Sequence, residues 1–152
     1  MNRVFRMNVI VTALLAGSFA ALTGCTGGGS SIVPFAGTVP DAAKSLDGTY
    51  LVTLSQADAA QLGGSELTIV ISGGLFTKLG MRDLTPTNVT SDGTNFVWTS
   101  GASIQYSGAP VPLDTIVTLT MVLQADNSLV GTMELSSYGV TSQPINATLT
   151  KQ

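Results

Sequence analysis

From residue 46 onward, apolar and polar residues alternate with a period of two, and the apolar positions are rich in Val, Ile and Leu with Thr interleaved. Such residues suit a half-buried pleated surface, so the pattern predicts strands and not helices. Strands are expected at 48–54, 66–72, 75–80, 87–91, 95–100, 102–107, 115–124, 129–136 and 143–151. Between them stand Ser72-Gly73-Gly74, Ser91-Asp92-Gly93-Thr94, Ser107-Gly108-Ala109-Pro110 and Asp126-Asn127-Ser128, residues that favour turns. Short strands joined in sequence predict an all-β, antiparallel up-and-down meander, either a small barrel of about eight strands or a two-layer sandwich. Helical expectations are limited to one turn at 41–45 and a segment at 55–62, with Ser55 as its cap and Gly63 as its stop.

The hairpin joining 115–124 to 129–136 carries a register prediction. A three-residue loop at 126–128 pairs Leu123 with Gly131, Met121 with Met133, Leu119 with Leu135 and Val117 with Ser137. All the long apolar residues then share one face, and Thr118, Thr120, Val122, Val130, Thr132, Glu134 and Ser136 take the other. A two-residue loop would instead set Glu134 opposite Leu119 on the core face.

The first 25 residues follow a different pattern. Arg3 and Arg6 precede an apolar run of 14 residues from Val9 to Leu22, about 21 Å long as a helix against a hydrocarbon core of about 30 Å. A basic start, a short apolar middle and small residues afterwards predict a secretory signal peptide. It ends Leu22-Thr23-Gly24-Cys25, which resembles the lipobox of the bacterial lipoprotein family. The resemblance implies diacylglyceryl transfer to the Cys25 thiol, cleavage after Gly24 and acylation of the new amino group. Two or more acyl chains give stable anchoring. Thr26, in place of an acid after the cysteine, implies by the same resemblance the outer membrane of the bacterial envelope.

The expected organisation is therefore a signal peptide at 1–24, a lipidated Cys25 with a Gly/Ser-rich tether at 25–45, and a β domain at 46–152. The apolar patch at 32–35 either docks on that domain or dips into the membrane interface. Without residues 1–24 the chain keeps four basic residues (Lys44, Lys78, Arg82, Lys151) against nine acidic, net −5. That balance argues against a nucleic-acid partner and leaves membrane attachment to the acyl chains. With Cys25 acylated no disulfide forms, and the core must stabilise the domain by itself.

The chain has no histidine, which removes Ser-His-Asp and Cys-His catalysis. The nine acids stand mostly at turns or strand ends, and their spacing selects no glycosidase-like pair. Asp92-Gly93-Thr94-Asn95 reads as a turn and not a calcium loop, and no glycine-rich nucleotide motif stands between a strand and a helix. Asn88-Val89-Thr90 and Asn146-Ala147-Thr148 match the glycosylation triplet but sit within expected strands. No enzyme activity, cofactor or metal is expected.

The aromatic residues Tyr50, Phe76, Phe96, Trp98 and Tyr106 are spread along the strands, with Phe96 and Trp98 two apart and so on one face. They form either a packed core or, in a closed barrel, an aromatic lining for one small ligand. Leu46-Asp47-Gly48-Thr49-Tyr50 resembles the opening Gly-x-Trp strand of the calycin group, lipocalins and avidins, with Tyr50 in place of the tryptophan and Lys151 as a counterpart of the basic residue near the family's end. The resemblance implies a barrel architecture. Two functions follow as expectations: a lipid-anchored, non-catalytic binding or structural module that contacts another envelope component, or a carrier whose small apolar ligand lies against Tyr50, Phe96 and Trp98.

Overall fold

A computed structural model of the chain describes residues 32–55, 58, 67–104, 112–137 and 140–152. Cys25, with the rest of the expected signal peptide and lipobox, lies outside them, as do Tyr106 and nearly all of the helix expected at 55–62. One helical turn, α1 (Asp41–Lys44), precedes ten strands: β1 (Gly48–Leu54), β2 (Leu67–Ser72), β3 (Leu75–Leu79), β4 (Arg82–Asp83), β5 (Thr85–Ser91), β6 (Asn95–Ile104), β7 (Leu113–Leu123), β8 (Leu129–Ser137), β9 (Val140–Thr141) and β10 (Ile145–Lys151). Nine of them follow the path β4-β3-β2-β1-β10-β8-β7-β6-β5, all pairs antiparallel, with β9 beside β8. The protein is thus an all-β meander forming a nearly closed barrel, and the sandwich alternative is set aside.

Alternation puts one face of each strand inside. Tyr50, Val52, Ile69, Ile71, Phe76, Phe96, Trp98, Leu119, Met121, Leu129, Met133 and Leu149 are all less than 2 % exposed. Bulk is balanced across strands: Met121 pairs with Gly131, which pairs in turn with Ala147, so a long side chain stands beside two small ones. At Gly131 even a methyl group would lie 1.9 Å from the Thr120 carbonyl oxygen. Strand β8 therefore approaches β7 more closely there than any larger residue permits.

Several boundaries differ from the sequence reading: β5 starts at Thr85 and β7 at Leu113, each two residues early, and the short β4 was not expected. The strands expected at 95–100 and 102–107 join as β6, which passes through Gly101 without a break. Strand β9 was not expected; Pro144 has no N–H and interrupts β10, and Ser142 continues the pairing by donating its N–H to the Leu135 carbonyl (2.8 Å) while its Oγ accepts the Leu135 N–H (3.0 Å).

The β7–β8 register differs by two from the expected one: Leu123 pairs with Leu129, Met121 with Gly131, Leu119 with Met133 and Val117 with Leu135. The loop has three residues, as expected, but they are 125–127, because the Gln124 N–H donates to the Ser128 carbonyl (2.9 Å) and Asn127 takes the left-handed conformation at φ 63°. Asn tolerates that region and Ser does so less well. A shift of two leaves every side chain on its expected face.

The barrel is incomplete between β3 and β5. On the side away from β2, β3 meets strand backbone only at its end, where β4 pairs with Lys78 and Leu79 and the Leu84 N–H donates to the Thr77 carbonyl (2.8 Å). Residues 32–44 run along this seam. Ile32 covers Gly101, the Phe35 N–H donates to the Pro86 carbonyl (2.8 Å), and Val39 and Ala43 lie against Gly74. Phe35, Val39 and Ala42 pack on the core and Ala43 is fully buried. Ile32 and Phe35 of the patch at 32–35 thus lie on the barrel while Val33 stays exposed, and packing on the core begins before residue 46.

Candidate functional site

The three aromatic residues singled out in the sequence occupy the barrel interior. Phe96 and Trp98, on one face of β6, stack with ring centroids 5.2 Å apart and planes 8° from parallel. The Trp98 indole Nε1–H donates to the Gly74 carbonyl (2.9 Å), and two residues along β6 the Ser100 hydroxyl donates to the Phe76 carbonyl. Both bonds cross the seam, so side chains of β6 tie β3 where strand pairing stops.

Tyr50 sits on β1, in the same buried core. Its hydroxyl donates to the Leu46 carbonyl (2.5 Å). Burial, and then the nearby charge of Asp47, push its phenol above the ordinary tyrosine range, so it remains neutral at physiological pH. Asp47 is a structural clamp that its position at a strand end did not reveal: its carboxylate accepts the N–H groups of Gly73 (2.8 Å) and Gly74 (2.6 Å) in the β2–β3 turn. Tyr50 pairs with Lys151 across β1 and β10, and the Lys151 stem lies over Gly48, whose φ is 152°. The residues 46–50 therefore tie helix, turn and both closing strands together.

In this arrangement the polar atoms of Tyr50 and Trp98 are committed to backbone carbonyls, and each of the three aromatic side chains is at most 1 % exposed. They support the fold. A described surface depression lies elsewhere, at the β3–β4 turn, lined by Leu79, Met81 and Arg82. Met81 is fully exposed at the tip of that turn. Lys78 and Asp83 form an exposed ion pair at 3.0 Å.

Electrostatics elsewhere serve turns. Asp92 accepts N–H groups from Asn95 (2.7 Å) and Thr94 (2.9 Å) and the Asn95 side-chain amide (2.7 Å). The Asn95 backbone and side-chain bonds, then that of Thr94, hold its carboxyl down at about 2. Donors and not further oxygens converge on it, the opposite of a calcium site. Ser128, through its hydroxyl and its N–H, lowers Asp126 in the same way. Ser103 donates to Asp114 across β6 and β7, a pair on the surface with no histidine in the chain to activate the hydroxyl. Among the described residues no three His, Cys, Asp or Glu side chains come together as metal ligands. No protein-family model, curated protein or solved structure matches the chain.

Proposed function

We propose that this chain is a lipid-anchored protein of the bacterial cell envelope, held by acyl chains on Cys25 in the outer membrane, and that its barrel is a non-catalytic binding or structural module. The observation that carries the reading is Leu22-Thr23-Gly24-Cys25, where the only cysteine of the chain closes an apolar segment too short to span a bilayer. The interior supports the second half. Tyr50, Phe96 and Trp98 pack and bond within the barrel, which favours contact through the outer surface over a carrier that holds a small apolar ligand against those rings. The partner is then another envelope component, recognised by an exterior rich in Thr and Val.

The test is a Cys25→Ala variant expressed in a bacterium of two membranes and followed by fractionation. The wild type is expected to remain in the membrane fraction after carbonate washing, and the variant to be released. Equal retention of the two would refute the anchor.

A further inference from the structure

The path of residues 32–44 fixes which end of the barrel the anchor reaches. Strands β1, β3, β6 and β8 all finish at one end, where β4 and β7 begin, and this end carries the β3–β4 turn. Ile32 lies on Gly101, near the finish of β6, and Phe35 bonds to Pro86, near the start of β5. Val39 and α1 lie at the opposite end, against the β2–β3 turn. The segment therefore enters at the β3–β4 end and runs to the opposite one.

Cys25 precedes Ile32 by seven residue steps, which reach at most about 25 Å when fully extended. The 11 residues of β7 rise about 37 Å along the strand, or somewhat under 30 Å along the axis of a barrel with ordinary strand tilt. Reaching the bilayer from the opposite end would use the whole of the linker to retrace the barrel, leaving nothing to pass through the headgroups. From the β3–β4 end the linker is ample.

That end also carries groups suited to lipid. Met81 is fully exposed at the turn, Val33 is 73 % exposed and Val140 is 40 % exposed. Arg82 is exposed beside Met81, placed for a headgroup phosphate. Of the described acids at the same end, Asp83 is paired with Lys78, Asp114 is bonded to Ser103 and Asp58, in the β1–β2 connection, accepts the Ser55 hydroxyl. The β5–β6 and β7–β8 turns at the far end are tipped instead by the ionised Asp92 and Asp126.

We propose that the barrel stands on the membrane with the β3–β4 end down, Met81, Val33 and Arg82 touching the lipid surface and the Asp92 and Asp126 turns pointing away. The proposal rests on the lipid anchor at Cys25.

The experiment uses the full lipidated chain, whose lone cysteine is blocked by acylation, so that a new thiol is the single labelling site. Met81→Cys and Val33→Cys place a fluorophore at one end, and Ala125→Cys, exposed in the β7–β8 loop, places it at the other. Each is reconstituted into phosphatidylethanolamine vesicles with a minority of phosphatidylglycerol and lipids bearing a nitroxide on the headgroup. Several-fold stronger quenching at positions 81 and 33 than at 125 is expected. If the proteins float with the vesicles and quenching is equal, or stronger at 125, the orientation is overturned and the anchor stands. If the chain does not float with the vesicles, the anchor fails and the orientation falls with it.

Discussion

Replacing Trp98 with Phe tests whether side chains close the barrel seam. The substitution removes the Nε1–H that bonds to the buried Gly74 carbonyl at 2.9 Å and retains an aromatic ring to stack on Phe96. An orphaned buried acceptor costs about 1–3 kcal/mol. The missing part of the indole leaves a void of roughly 40 Å³, worth about 1 kcal/mol at about 24 cal/mol per Å³. The sum, about 2–4 kcal/mol, is a large share of the roughly 5–15 kcal/mol that an ordinary domain has. Urea unfolding of residues 25–152 carrying Cys25→Ala, followed by far-ultraviolet circular dichroism, would report it as a lowered midpoint at unchanged slope. Ser100→Ala, which removes the neighbouring bond to the Phe76 carbonyl, is expected to cost about 1–2 kcal/mol in the same assay. A loss below about 0.5 kcal/mol for Trp98→Phe would show that the indole bond does not hold β3 to β6.

Two further outcomes follow from local geometry. Gly131→Ala forces a methyl group against the Thr120 carbonyl and the Met121 Cα, both backbone, so β7 and β8 must part; a loss of about 3 kcal/mol or more is expected in thermal melts, and a near-neutral result would refute the close approach. Asp92, held at about 2 in the folded chain against an ordinary value near 4, contributes stability that is fully present above the ordinary value and lost as pH falls through about 2. The gap in urea midpoint between wild type and Asp92→Asn should therefore shrink between about pH 4 and pH 2, and a gap constant over that window would contradict the assignment.

Much of the barrel could be read from alternation, because a period of two states which face each residue takes regardless of its partner. Phe96 and Trp98 were on one face by spacing alone, and the Met and Leu residues of β7 and β8 kept their inward face although their pairing moved by two. That movement came from which residue takes the left-handed turn position, a choice between Asn127 and Ser128 that hydrophobic pattern does not register. The seam was unreadable for a different reason. It is built from bonds between side chains and distant backbone, Trp98 to Gly74 and Ser100 to Phe76, and from a Pro-containing segment with no periodicity. Asp47 looked like any acid at a strand end, since nothing local shows that a turn some 26 residues away will present two N–H groups to it. The β3–β4 turn likewise gave only a Gly, and the exposure of Met81 follows from the fold.

The pairing of β1 with β10 also sets the order in which this molecule can come into being. Tyr50 finds its partner at Lys151, about a hundred positions later, so a growing or threading chain holds β1 with one edge unpaired until nearly all of it has arrived. Closing so long a loop is entropically costly, and folds dominated by such distant pairings form slowly. Until then β1 and β8 both present free edges with Thr- and Val-rich faces and little charge, a state prone to edge-to-edge association. A chain cut short before Ile145 would be left permanently in that state, with its hydrophobic interior open along the line where β10 belongs.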